Sequence, residues 1–278
     1  MRVPVLVHQT LQSKHSLQFP VTITIGHINI LLHTITEFAG MFIGFRYYLY
    51  LKRKQGDVIE SSNRLWIIIG VTLGAFTGSR LIGGLENPDA LLQSKNILFY
   101  FYLNQTIVGG LLGGLFGAEL VKFFIHEKTA SGNLFTYPVI LALIIGRIGC
   151  FSMGIYEETY GLPTSLPWGM PAGDSFPRHP VCLYEIIFLL LLWISLVQIE
   201  KKFTLQNGAR FKLFLIGYCF FRFMLDFIKP HYTYGIGLST IQITALLGLI
   251  YYYRYIITPK KLIENKTQII MSPAAEHV

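Results

Sequence analysis

The chain has 278 residues, of which 52% are hydrophobic and only 14% charged, with a mean hydropathy of +0.49. An average soluble domain carries roughly 25% charged residues, so the composition excludes a disordered chain, a collagen and an ordinary cytosolic enzyme, and predicts an all-α polytopic membrane bundle. The net charge of +8 then reflects basic cytoplasmic loops, with the lipid bilayer and not nucleic acid as the partner.

The first 20 residues are polar, with Arg2, His8, Lys14 and His15. They contain no apolar core followed by a cleavage site, so no removable signal peptide is expected. A helix crosses the hydrocarbon core with about 20 apolar residues. Seven segments meet that length, roughly 27–49, 65–86, 97–124, 134–155, 181–199, 211–229 and 237–257. The second carries Gly70, Gly74 and Gly78, and the third Gly109, Gly110, Gly113, Gly114 and Gly117. Such spacings let helix backbones approach closely in lipid.

Lys and Arg divide unevenly between the connections. Fourteen fall in loops 50–64, 122–133 and 200–212 and in the tail, against five on the other side. The N-terminus is therefore expected outside and the C-terminus in the cytoplasm. Residues 1–257 read as one transmembrane domain, and 258–278 as a polar cytoplasmic tail. Tyr251, Tyr252, Tyr253 and Tyr255 form an aromatic belt before that tail. The longest outer loop, 156–180, is rich in Pro and Gly but also carries Tyr160, Leu162, Leu166, Trp168 and Phe176. That content predicts an ordered loop over the site, against the bilayer surface. The two halves of the chain share no motif or spacing, which weighs against a secondary transporter.

Ionisable residues inside spans cost at least ~2.5–3.5 kcal/mol each. Here Glu37, Arg80, Glu119, Arg147, Glu185, Arg222 and Asp226 sit in spans, together with His33. The topology carries Arg80, Arg147, Arg222, Glu185 and Asp226 to the outer half of the bundle, with Arg222 and Asp226 one turn apart on one face. Buried ion pairs that fix packing are one explanation. The other is a polar cavity for an anionic head group, which arginine suits through its bidentate fork.

Cys150, Cys182 and Cys219 are far apart and lack CxxC spacing, so neither a disulfide framework nor a zinc site is expected. His8, His15, His27 and His33 do not sit at liganding intervals with carboxylates, and no metal is expected. The GxxG runs lie within spans and not after a strand, so no nucleotide cofactor is expected either.

Four blocks in order resemble one family. Gly146-Arg147-Ile148-Gly149-Cys150-Phe151-Ser152-Met153 followed by Glu158-Thr159-Tyr160-Gly161 resembles the signature of the prolipoprotein diacylglyceryl transferases. Arg178-His179-Pro180 with Leu183-Tyr184-Glu185, Gly217-Tyr218 through Arg222-Phe223 with Asp226-Phe227, and Gly109-Gly110-Leu111-Leu112-Gly113 resemble three further family elements. The resemblance covers about residues 20–257.

It implies transfer of the diacylglyceryl group from phosphatidylglycerol to the lipobox cysteine of prolipoprotein signal peptides, at the outer face of the bacterial inner membrane. Arg147 and Arg222 would clamp the phosphate. Glu158, Glu185 and Asp226 would orient the arginines or bind glycerol hydroxyls, and Tyr218 would donate to the head group. Arg80, Tyr184, Gly161, Gly109 and Gly110 complete the expected substrate contacts. The sequence departs from the family at Val108, where the family has a histidine, and at Cys150 and Met153, where it has asparagines. Asp226 replaces a glutamate and His33 a tyrosine. The resemblance therefore leaves the proton to His33 or His179. Two alternatives remain: a paralogue that modifies anionic phospholipid with another acceptor, in which Cys150 beside Arg147 would matter, and a non-catalytic lipid-binding membrane protein.

Overall fold

The computed structural model describes residues 18–264. His8, His15 and the last part of the predicted tail lie outside the described residues.

The fold is helical throughout, apart from two small hairpins. Strands β1 (Thr22–Ile25) and β2 (Ile28–Leu31) pair antiparallel, Ile25 opposite Ile28. Gly26 makes the two-residue turn possible, with φ at +64°. The first predicted span thus begins as a hairpin, and its helix α1 runs Leu32–Gln55. Helix α2 spans Ser61–Gly84. It stops two residues short of the predicted span, so Glu86 lies in the connection that follows.

The third predicted span, 97–124, is not one helix. After the short α3 (Pro88–Gln93), it divides into α4 (Ile97–Leu103) and α5 (Ile107–Phe124). The interruption is polar. Asn104 Nδ2 donates back to Tyr100 O at 2.8 Å, and Thr106 Oγ1 accepts from Gly109 N at 3.1 Å as the N-cap of α5. Side chains that bond the local backbone end one helix and start the next.

Helix α6 (Asn133–Met153) leads through a 3-10 turn into residues 156–180. There β3 (Met170–Pro171) pairs with β4 (Pro177–Arg178). Arg178 ties this loop together. Its Nε and Nη2 donate to Asp174 Oδ2 at 2.9 and 2.6 Å, and its Nη1 donates to Gly161 O at 3.1 Å. Helices α7 (Val181–Lys202) and α8 (Ala209–Leu225) follow. The seventh predicted span is also divided. A capping box of Ser239 and Gln242 starts α9 (Thr240–Tyr251), and the short α10 (Tyr253–Ile257) succeeds it.

Among the described residues, four helices are long and apolar enough to cross a membrane: α2, α5, α6 with its 3-10 extension, and α7. The surface of the bundle reads inside out. Phe38, Phe42, Leu73, Phe76, Leu191 and Ile194 are exposed, whereas Arg64, Arg147, Glu185 and Arg222 are buried. That is the pattern of a bundle solvated by lipid.

Helix pairs set the frame. Gly70, Gly74 and Gly78 of α2 meet Gly109, Gly113 and Gly117 of α5. A Cβ at Gly78 would fall 2.5 Å from Gly109 O and 2.8 Å from Gly113 Cα. Similarly α1 lies on α6 through Gly40 and Gly44, whose Cβ atoms would fall 2.9 Å from Ala142 O and 3.1 Å from Pro138 O. Small residues replace a hydrophobic driving force with close van der Waals packing in lipid. Between the α1/α6 and α2/α5 pairs a cleft remains.

Residues 85–106, 156–180 and 226–239 gather at one end of the bundle, the loop end. Tyr234 OH and Thr240 Oγ1 each donate to Leu85 O at 2.7 Å, and Leu162 N donates to Ile228 O at 2.9 Å.

Candidate functional site

The cleft encloses about 830 Å³. Its walls follow helical periodicity. Helix α1 contributes His33, Glu37 and Met41, α2 Val71, Ala75 and Ser79, and α5 Gly110, Gly114 and Ala118, each at four-residue intervals. Phe135, Val139, Leu143 and Arg147 of α6 close it. Small side chains make the space, and the middle of the cleft is apolar.

The loop end of the cleft is charged. Glu185, in the second turn of α7, is 1% exposed. Its Oε1 accepts from Tyr218 OH at 2.7 Å and its Oε2 from Arg222 Nη1 at 2.9 Å. Arg147 Nε also lies 2.9 Å from Oε2, without hydrogen-bond alignment. Two guanidiniums thus share one carboxylate, and the triad is buried with one net positive charge. Arg222 Nε has no hydrogen-bond partner. A buried charge left uncompensated is costly, and an anion in the cleft would offset it.

Other charged groups face the cleft uncommitted. Lys229 is 6% exposed and lines the cleft with Glu86 and Glu158. Among the described residues, none of these three side chains makes a hydrogen bond or ion pair. Burial pushes the Glu86 carboxyl up to about 7, against the pull of Lys229 and Arg222. Sequence reasoning missed Lys229 and Glu86: each is the last residue of a predicted span, and Lys229 counted only among the charges of the outer side.

The structure brings together Arg147, Arg222, Glu185 and Tyr218, with Glu158 and His33 on the same cleft. His33 Nδ1 lies 2.8 Å from Glu157 Oε2, and Glu157 was not singled out from sequence. Arg147 Nη1 lies 3.4 Å from Cys150 Sγ.

Several expected contacts go elsewhere. Arg80 stacks on the Phe76 and Tyr102 rings, at 5.5 and 5.0 Å from their centroids, and does not line the cleft. Asp226 does not bond Arg222. It accepts from Ser239 Oγ, so it braces the start of α9. His179, in the loop, and Tyr184, in the first turn of α7, meet each other. His179 Nδ1 is 3.3 Å from Tyr184 OH, which accepts from Trp168 Nε1 at 2.7 Å. Gly161 packs on His179, where a Cβ would fall 2.7 Å from the histidine Cβ. Gly109 is a helix-packing glycine, whereas Gly110 faces the cleft. Val108 is buried in the main apolar core.

The fold and the site define a helical membrane protein with an apolar, cation-headed cleft. Residues 20–258 match the family model described as prolipoprotein diacylglyceryl transferase. A phosphatidylglycerol–prolipoprotein diacylglyceryl transferase of Actinobacillus pleuropneumoniae serotype 3 (strain JL03) is 31% identical over 231 residues, covering 76% of this chain and 80% of the relative. One from Nitrosomonas europaea is 28% identical over 263 residues, covering 87% and 92%. One from Nitratidesulfovibrio vulgaris (strain Miyazaki F) is 35% identical over 177 residues, covering 59% and 61%. The chain belongs to the prolipoprotein diacylglyceryl transferase family.

Proposed function

We propose that this protein moves the diacylglyceryl group of phosphatidylglycerol onto the lipobox cysteine thiol of prolipoprotein signal peptides. The observation that carries this is the buried, net-positive Arg147–Glu185–Arg222 triad at the head of an apolar cleft. A cleft of this volume lies within the ~300–1,000 Å³ of ordinary ligand sites. The apolar walls suit acyl chains, and the charged end suits a phosphate.

The thiolate is the nucleophile, and a free thiol has a pKa near about 8.5. Its sulfur attacks the glyceryl carbon that bears the phosphate oxygen. The S–C bond forms as the C–O bond breaks, and glycerol phosphate leaves with one more negative charge than it carried as the diester. Arg147, Arg222 and Lys229 stabilise that developing charge. Glu86 takes the thiol proton. It lies in the cleft with Arg222 and Lys229, and among the described residues no other group bonds its oxygens. Glu158 orients the glycerol hydroxyls, and Tyr218 fixes Glu185 between the arginines. Of the two histidines in question, only His33 lines the cleft, on the α1 wall beside Glu157.

We infer further that the chain crosses the bilayer seven times with its loop end at the outer face of the inner membrane. The excess of Lys and Arg at the opposite end supports this. In that frame Arg147, Arg222 and Lys229 lie at head-group depth in the outer leaflet.

The test is turnover by the purified protein with phosphatidylglycerol and a lipobox peptide. The expected product is a thioether-linked diacylglyceryl peptide with one glycerol phosphate released. Binding of phosphatidylglycerol without product would leave a lipid-binding protein instead.

A further inference from the structure

His33, Cys150 and Glu157 come from three separate elements: the first turn of α1, the last turn of α6 and the segment after the 3-10 turn. One ligating atom of each lies within 4.8 Å of the other two. All three side chains line the cleft. The closest pair, His33 Nδ1 and Glu157 Oε2, is 2.8 Å apart. Yet Glu157 Oε2, a buried atom, has no aligned hydrogen bond.

We propose that His33, Cys150 and Glu157 form a binding site for one divalent cation of the zinc class, with its fourth position open to the cleft. Imidazole, thiolate and carboxylate are the donors zinc takes, at bond lengths of about 2.0–2.3 Å. A tetrahedral centre of those lengths sets its donors roughly 3.3–3.7 Å apart, so the wider separations, up to 4.8 Å, close by about an ångström on the cation, while the His33–Glu157 pair at 2.8 Å opens by roughly half an ångström. One thiolate and one carboxylate together neutralise the dication. Binding displaces the Cys150 thiol proton to solvent. Arg147 Nη1 lies 3.4 Å from Cys150 Sγ. His33 Nε2 lies 4.0 Å from Glu37 Oε2, so Glu37 is placed to receive the other ring N–H, as outer-shell carboxylates commonly do. The open position looks onto the cleft, where water or a phosphate oxygen completes the shell. The assignment does not depend on the transfer chemistry.

The test is titration of the tag-free, full-length, metal-stripped protein in detergent with Co²⁺. We expect a thiolate-to-cobalt charge-transfer band that saturates at one equivalent and is displaced by Zn²⁺. Cys150→Ser should abolish the band and weaken Zn²⁺ binding by more than the roughly 10–100-fold that losing an outer-shell group costs. Cys182→Ser should retain it. Absence of the band in the wild-type protein would overturn the proposal, as would Zn²⁺ binding undiminished in Cys150→Ser. Loss of turnover with the band intact would count against the transferase reading alone.

Discussion

Arg147 and Arg222 differ from Arg64 in what they lack. Arg64 is bidentate on Asp57 and also donates to Ser131 O, so its charge is spent at the opposite end. Arg147 and Arg222 divide a single carboxylate between them. Replacing either by Ala should therefore lower kcat/KM by about 10²–10³, the cost of removing one donor to a developing oxyanion. Loss of the bound head group would show first as a raised KM, and loss of transition-state stabilisation as a lowered kcat. Glu185→Gln leaves two guanidiniums together without their counter-charge, and should destabilise the fold by about 3–5 kcal/mol, read as earlier thermal inactivation in detergent. A base works only when ionised. With burial pushing Glu86 up to about 7, activity should rise with pH through that region and be lost below it. Glu86→Gln should remove this limb along with roughly 10²–10⁴ of the rate. A profile unchanged in the variant would exclude Glu86 as the acceptor.

At the scale of elements, the glycines sort by what stands opposite them. Gly113 faces the Gly74 backbone, with Gly78 Cα 2.9 Å from a would-be Cβ, whereas the nearest atom to a Cβ at Gly110 is Ser79 Cβ at 3.6 Å. Gly113→Ala must part α2 from α5 and should sharply reduce the yield of folded protein. Gly110→Ala adds one methyl to the cleft wall and should fold normally, which size-exclusion profiles of the two variants would show. The spans with continuous apolar sequence were legible as helices: α2, α6 and α7 appear close to their expected limits. The two breaks, at Asn104–Thr106 and after Tyr251, were not. Hydropathy averages over a window, and three polar residues that redirect the backbone barely move the average. That Arg147 and Arg222 come together was legible because arginines in a span are rare and expensive. Their partner was less so, since Asp226 sits i+4 from Arg222 yet turns to Ser239, while Glu185 reaches both arginines from another helix. Sequence spacing reports neighbours on one helix and is blind to the approach of a second.

The whole molecule is two glycine-packed helix pairs held apart, with charge concentrated at one end of the gap. That asymmetry gives the orientation a direct test. A cysteine at Ser175, in the 156–180 loop, should react with a membrane-impermeant maleimide on intact cells, and one at Lys128 only after lysis. The reverse pattern would invert the proposed topology. The central claim is that the cationic end of the cleft drives chemistry and does not merely hold lipid. The measurement closest to it is turnover in phosphatidylglycerol vesicles with a lipobox peptide, comparing the wild-type protein with Arg222→Ala at matched folded concentration. The account predicts thioether product and glycerol phosphate in equal amounts from the wild-type protein, and a rate lower by about two orders of magnitude in the variant. Equal rates in the two proteins, or wild-type protein that binds the lipid and forms no thioether, would contradict it.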